Sequence, residues 1–335
     1  MSLHQKISRP LLLATLAAAT AMAVTACSSN SMSPLTPVAG LPATQAHAAG
    51  APSANTRAAG YTFTTLDNQN DPTFNQLLGI NNKGEISGYF GSGQPSGKPF
   101  NGYTIVPPYG QGNYTAENFP GGTATQVTGL NNRRDTAGFW INKKGTNLGW
   151  VRWNGVFESF KDPNTGKGTV NQILGINVHG IAVGFYTDGA NVNHGFTLNQ
   201  ATGKFTPVKL PGVTNVTATG INNRGDITGF YSTSSGSAAF LKKGGSFSSL
   251  SFPAGSNTMS FGINDDDQMV GGYQDSSGGM HGFLLSHPLS HAKWVKIDDP
   301  NGVGTTTLNG LNDKGDLVGF YVDSAGNTDG MLVTP

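Results

Sequence analysis

Gly79-Ile80-Asn81-Asn82-Lys83-Gly84-Glu85-Ile86-Ser87-Gly88-Tyr89-Phe90 returns five more times in recognisable form, starting at Gly129, Gly175, Gly220, Gly262 and Gly310. Successive starts lie 50, 46, 45, 42 and 48 residues apart, and a period of about 20 to 50 residues marks a solenoid, a propeller or an array. Three positions never vary between copies: Gly79/Asn81/Gly88, Gly129/Asn131/Gly138, Gly175/Asn177/Gly184, Gly220/Asn222/Gly229, Gly262/Asn264/Gly271 and Gly310/Asn312/Gly319. Ile80-Asn81 ends one strand, Asn82-Lys83-Gly84 turns, and Ile86 to Phe90 returns as the next strand. Asn81, Asn131, Asn177, Asn222, Asn264 and Asn312 are the structural turn residues, because an asparagine side chain accepts from the backbone two residues on. The glycine three places later then takes the left-handed conformation of a bulged hairpin. Arg134 and Asp267 replace that glycine in two copies, which predicts strained turns there.

Two more strands follow each copy. The third carries a small residue and an aromatic, as in Gly102-Tyr103, Gly149-Trp150, Gly195-Phe196, Ala239-Phe240 and Gly282-Phe283, with Gly330-Met331 as the departure. The fourth alternates apolar and polar residues before a Pro- or Gly-rich turn, as in Val156 to Phe160 and Lys293 to Ile297. After Met331 no fourth strand remains, while Tyr61 to Leu66 has that pattern ahead of the first copy with no unit of its own. The expectation is therefore an all-β fold over residues 60–335: a six-bladed β-propeller of four-stranded antiparallel blades, its ring closed by the N-terminal strand completing the last blade.

Composition agrees. Glycine, 48 of 335 residues, stands at about twice its usual share, and charged residues, at 12%, at about half theirs. A formal net charge of +1 with no basic block gives no footprint for nucleic acid.

Residues 1–27 read as a processing segment. Lys6 and Arg9 precede an apolar run from Leu11 to Val24 that is too short for a mature membrane span. It ends in Val24-Thr25-Ala26-Cys27, which resembles the lipobox of bacterial lipoproteins, where the cysteine is lipidated and becomes the mature N-terminus. Cys27 is the one cysteine of the chain, so an internal disulfide is excluded. By the same resemblance Ser28, in place of Asp, implies the outer membrane. The alternative is an ordinary secretory signal cut after Ala23 or Ala48. Residues 28–59, rich in Ser, Pro, Ala and Thr, read as a disordered tether reaching about 30 Å.

The pattern Gly-Ile-Asn-x-x-Gly, then Gly-Phe-Tyr, then His-Gly-Phe resembles the bacterial extracellular His-Ala-Phe (HAF) repeat family. His194-Gly195-Phe196 and His281-Gly282-Phe283 come nearest to the naming triplet, whereas Ala238-Ala239-Phe240, Leu148-Gly149-Trp150 and Asp329-Gly330-Met331 lack its histidine. The resemblance covers residues 60–335 and implies an extracytoplasmic setting without implying a reaction.

In such a ring the second-to-third and fourth-to-first connections share one face, and that face carries the longer loops, Gly91 to Lys98, Asp188 to Asn193, Gln274 to Gly279 and Asp298 to Gly304 among them. Binding residues concentrate on loops held by a rigid scaffold. His194 and His281 sit at equivalent positions a blade apart, and read as packing or surface histidines, as does His179. Glu85, Asp135, Asp226 and Asp316 follow the turns and read as solvated turn residues, too dispersed for the about 5–10 Å of a glycosidase pair. Asn264-Asp265-Asp266-Asp267 lacks the glycine and glutamate of a calcium loop and reads as a variant turn. Gly-x-Ser-x-Gly, His-Glu-x-x-His, a Walker loop and paired cysteines are all missing, so the sequence offers no catalytic residues, metal ligands or cofactor site.

These features favour a surface-tethered, non-catalytic module that binds a glycan, peptide or protein partner through the loop face. The alternatives are a polysaccharide lyase or glycosidase built from Asp162, Asp188, Asp275, Asp298, Asp299 or Asp323 on that face, and a structural envelope lipoprotein.

Overall fold

The computed structural model describes residues 56–58, 60–94, 97–253 and 255–335. The expected leader, Cys27 and nearly all of the expected tether lie outside them. The described residues form six antiparallel sheets arranged as a propeller. Each blade presents a first strand to the axis: Asn75–Ile80, Ala124–Leu130, Asn171–Ile176, Val216–Ile221, Ser256–Ile263 and Thr306–Leu311 in blades 1 to 6. The recurrent asparagines lie at the ends of these strands, on what we term the turn face. The opposite side is the loop face.

Each invariant residue has a backbone task. The register of every first-to-second pair slips by one residue just before the first glycine, for instance between Ile173 and Gly175. The bulge brings glycines of adjacent blades together, so a Cβ at Gly129 would stand 3.0 Å from the Cα of Gly175, and one at Gly310 2.9 Å from that of Gly79. It also pushes a carbonyl at the facing strand: a Cβ at Gly184 would lie 2.0 Å from the Gln172 oxygen. The second glycine is thus a requirement of the bulge itself.

The asparagines close a ring about the axis. Each Nδ2 donates to the backbone carbonyl of the next blade's asparagine, from Asn81 to Asn131 at 3.2 Å, onward through Asn177, Asn222, Asn264 and Asn312, and from Asn312 back to Asn81 at 3.1 Å. Each Oδ1 meanwhile accepts two amides of its own turn, as Asn177 does from His179 at 3.0 Å and Ile181 at 3.1 Å. Arg134 and Asp267 adopt φ of 72° and 59°, the left-handed values expected for glycine replacements. Arg134 pairs with Glu85 of the preceding blade at 3.0 Å, and Asp267 receives Arg224 and Lys243 from blade 4.

The acids after the turns correct the sequence reading. Glu85, Asp135 and Asp226 are buried, and with Asp316 they accept from the Nδ2 of their own turn's asparagine at 2.8–3.4 Å. Turns around the axis pack against one another, leaving little room for solvent.

One residue before the first glycine, the blades alternate. Blades 1, 3 and 5 carry Leu78, Leu174 and Phe261; blades 2, 4 and 6 carry Thr128, Thr219 and Asn309. Those polar groups donate to the next blade, to the carbonyls of Ile173 at 2.8 Å, Ser260 at 2.8 Å and Leu77 at 2.9 Å. The apolar core lies between sheets, where third-strand aromatics Tyr103, Trp150, Phe196, Phe240 and Phe283 are fully buried. Burial there supplies most of the folding free energy, at about 1.5–3 kcal/mol per large side chain.

The sixth sheet departs from four strands. Tyr61–Thr65 pairs antiparallel with Thr328–Thr334, Phe63 opposite Val333, and Leu66 continues with a bond to the Gly330 carbonyl at 2.8 Å. Outside it runs a short fifth strand, Thr56–Ala58, with Thr56 opposite Phe63. Regular pairing therefore begins within the stretch that the sequence reads as tether, because Arg57 to Thr62 can reverse through Gly60 at φ 88°.

Replacing Asn177 by alanine strips two turn amides and the Asn222 carbonyl of their partner. Its unfolding free energy in urea is expected to fall by about 2–3 kcal/mol. A change below about 0.5 kcal/mol, ordinary for a surface position, would show the axial ring to be incidental.

Candidate functional site

Of the six carboxylates named as candidates on the loop face, five build turns. Asp188, Asp275 and Asp323 each accept two amides of the second-to-third connection through one oxygen, at 2.8–3.0 Å. Asn142 does the same in blade 2. Asp162 and Asp299 precede the first strands of blades 3 and 6, where their own amides donate to Asn171 and Thr306 and their carboxylates accept from Asn164 and Asn301. These turns depend on short acidic side chains that mimic a backbone acceptor.

Asp298 is the exception, and it joins a compact cluster with His281, Asp275 and Lys296. His281 Nδ1 lies 2.7 Å from Asp298 Oδ2 and its Nε2 lies 2.9 Å from Asp275 Oδ2, while Lys296 Nζ reaches Asp298 at 3.0 Å. Both ring nitrogens face carboxylates, so both contacts are hydrogen bonds only when the imidazole carries two protons. The His281 bond, seconded by Ser277, holds the Asp275 carboxyl well below the usual range. Tyr273 covers the histidine, with ring centroids 5.3 Å apart, and Phe252 stacks on Tyr273 at 3.6 Å.

Chemically the cluster is saturated. Both nitrogens of His281 lie against carboxylate oxygens of its own chain, so neither faces a substrate. Ser277 Oγ donates to Asp275 at 2.7 Å rather than to the ring, so the order of a nucleophilic triad is not met. Among the described residues, no group of three or more His, Cys, Asp or Glu is placed to hold a metal ion.

Homologous positions in other blades show what this arrangement replaces. In blade 3, His194 bonds Asp188 at 2.8 Å, and Lys209 stands where blade 5 has Asp298. The histidines expected as packing or surface residues thus lie at hydrogen-bond distance from carboxylates in both blades. In blade 6 the corresponding pair is Asp329 and Asp67. Asp67 Oδ1 accepts from Gly330 at 2.9 Å, just as Asp298 Oδ1 accepts from Gly282 at 3.3 Å. Burial, and then the charge of Asp329, push the Asp67 carboxyl well above its ordinary value, with a smaller push from Asp323. The phenols of Tyr103 and Tyr114 face this carboxyl and are themselves raised, chiefly by burial. Sequence reasoning passed over Asp67 and Asp329. The signal was available in the alignment of copies, which puts them level with Asp298 and His281.

The turn face offers a different feature, a shallow axial depression of about 70 Å³ walled by the asparagine ring and by Asn82, Asn132, Asn223, Asp265 and Asp313. The Asn264 to Asp267 stretch is a turn, as expected, with Asp265 bonded to Asn223 and Asp313.

No protein-family model matches the sequence, and no curated protein does. Solved structures similar in outline include TolB from Acinetobacter baumannii, with 9% identity, a TM-score of 0.47 and coverage of 79% of this chain and 64% of that one. The chain thus spans under two thirds of TolB. Aleuria aurantia lectin in complex with Fucalpha1-6GlcNAc has 12% identity, a TM-score of 0.46 and coverage of 78% and 91%. The N11 neuraminidase-like protein of A/flat-faced bat/Peru/033/2010 has 11% identity, a TM-score of 0.44 and coverage of 85% and 92%.

Asp67 leads to a stability expectation with a definite sign. A carboxyl raised in the folded state contributes stability that is complete below its unfolded pKa and is lost as pH rises through the folded one. Asp67→Asn keeps the Oδ1 acceptor and removes the charge. The variant is expected to be more stable than the parent at pH 8, with the difference vanishing toward pH 4, as followed by thermal unfolding. A parent whose stability relative to the variant does not fall between those pH values would refute the assignment.

Proposed function

We propose that the protein is a non-catalytic binding module that recognises a glycan, peptide or protein partner through its loop face. The observation that carries this reading is the engagement of every candidate carboxylate of that face by its own chain, five in turns and Asp298 with His281 and Lys296. The same face keeps half-buried aromatic edges at the loop ends of second strands. Trp140 stacks on Phe119 at 4.1 Å, and Tyr186 stacks on His194 at 5.0 Å. Such rigid amphipathic rings give contact area at little entropic cost.

The reading extends to the setting. We infer lipidation at Cys27, attachment to the outer membrane and kinship with the HAF repeat family, all from the sequence features given above. A polysaccharide-active enzyme is the second reading, favoured by one observation: Asp275 and Asp298 are separated only by the imidazole of His281. That spacing falls within the about 10 Å in which paired carboxylates cleave glycosidic bonds.

Glycan and protein-partner arrays are expected to give saturable binding that weakens by about tenfold or more in Trp140→Ala or Tyr186→Ala. Binding that survives both substitutions would move the site off this face. Turnover of an envelope polysaccharide abolished by Asp298→Asn would replace the binding reading with the enzymatic one.

A further inference from the structure

One position per blade sets the sign of charge around the loop face. It follows the fourth-strand residue that lies opposite the third-strand glycine or alanine, as Phe160 lies opposite Gly149 and Ile297 opposite Gly282. From blade 1 to blade 6 this position holds Asn118, Lys161, Lys209, Ser251, Asp298 and Asp67. A lysine sector on blades 2 and 3 therefore stands across the axis from an acidic sector on blades 5 and 6. The connections repeat the division. Blades 2 and 3 add Lys143, Lys144 and Lys167, whereas blades 5 and 6 add Asp275, Asp299 and Asp323.

The two sectors differ in what their charges do. The aspartates of blades 5 and 6 serve their own turns and the His281 cluster, but the five lysines have no such task. All five are exposed, and among the described residues none of their ammonium groups has a hydrogen bond or an ion pair. The acids in the connections of that sector are Asp162, which is buried, and Asp188, which two amides and His194 already hold. Unpaired like charges gathered on one sector raise its potential and draw in anions. Each lysine row also holds a ring. Trp140 pairs across the sheet with Leu148 and Lys161 continues the row; Tyr186 pairs with His194 and Lys209 continues it. With strands about 4.7–4.9 Å apart, ring and lysine are rooted about 10 Å apart in both rows.

We propose that the sector of blades 2 and 3 binds a linear polysaccharide that carries carboxylates, with sugar faces on Trp140 and Tyr186 and carboxylates on Lys161 and Lys209. This assignment rests on the binding reading above and narrows it to one sector and one class of glycan. The flat C–H face of a sugar suits an indole or phenol ring with one edge in water. A lysine is a mobile point charge, which meets a carboxylate without demanding a fixed geometry. The same ring and the same charge recur in adjacent blades, as a polymer repeats its own sugar and its own carboxylate. Across the axis the aspartates of blades 5 and 6 repel such a chain, which confines it to the lysine sector.

Oligogalacturonate, with a carboxylate on every sugar, is the probe, and its methyl ester is a neutral twin of the same backbone. Titrated into the full chain and followed by calorimetry, the acid form is expected to bind saturably. Its affinity is expected to fall by about tenfold or more between low salt and about 0.5 M NaCl, and the ester to bind more weakly by a similar factor. Lys161→Glu combined with Lys209→Glu is expected to abolish binding, and Trp140→Ala to weaken it about tenfold. Both lysines are exposed, so the charge-reversed protein is expected to keep the parent's Tm. Should it not fold, Lys143→Gln with Lys144→Gln takes its place, with an expected loss of about threefold to tenfold. Polyglutamate that binds as tightly as oligogalacturonate would overturn the assignment in favour of acidic chains at large. Salt-sensitive dimers in sedimentation that the charge reversal dissociates would overturn it in favour of the acidic sector of a second copy. Equal binding of acid and ester through Trp140 would leave the loop-face reading standing without the lysines. Binding of neither form would also overturn the assignment, and the glycan and protein-partner arrays then judge the loop-face reading separately.

Discussion

Six side-chain amides that hand a hydrogen bond around the axis are the constraint on which this molecule depends. Each asparagine is both a turn former and a link between blades. No other residue type serves both ends at this length. Aspartate lacks the donor, alanine lacks both groups, and glutamine would set its amide a methylene too far out. Because the groups are buried, a missing partner leaves an unpaired polar atom with no water to take its place.

The ring in turn dictates the backbone around it. For the asparagines to meet, the first strands must approach closely, which places glycine next to glycine across each seam. The bulge that permits this approach drives a carbonyl into the second strand, where again only glycine fits. The inner third of each blade is therefore fixed by sterics, and variation is displaced to the loop face. There the same position can carry His281 against Asp298, His194 beside Lys209, or Asp329 against Asp67, because the scaffold does not rely on any of them. The alternation of apolar and polar residues just before the first glycine is a finer rule, which couples blades 2 to 3, 4 to 5 and 6 to 1 by an extra hydrogen bond.

Much of this was legible in the sequence. The period, the turn residues and the unit left without a fourth strand are local patterns that geometry turns into blades. The left-handed turns at Arg134 and Asp267 followed from their alignment with glycines. What escaped the sequence was the environment of the turns. Glu85, Asp135 and Asp226 look like solvent-facing acids in a linear reading, yet six turns meeting about one axis exclude the solvent from them. Thr56–Ala58 was also missed, since three residues of unexceptional composition form a strand only where an edge is already waiting. The cluster at His281 combines a third-strand residue with Asp275 from the second-to-third connection and with Lys296 and Asp298 at the end of the fourth strand, and no spacing rule links them.

The sheet that joins Tyr61–Thr65 to Thr328–Thr334 has a consequence for how the molecule is made. Five blades are each complete within one continuous segment and can fold as they emerge. The sixth must wait, because its outer strand is synthesised first and its inner three come last. Until then Tyr61–Thr65 has only the short strand Thr56–Ala58 beside it, and bringing it to Thr328–Thr334 carries the entropy of a loop spanning the whole wheel. Final cooperativity is thus concentrated in a single late event, and the seam between blades 6 and 1 is the natural place for the ring to open again.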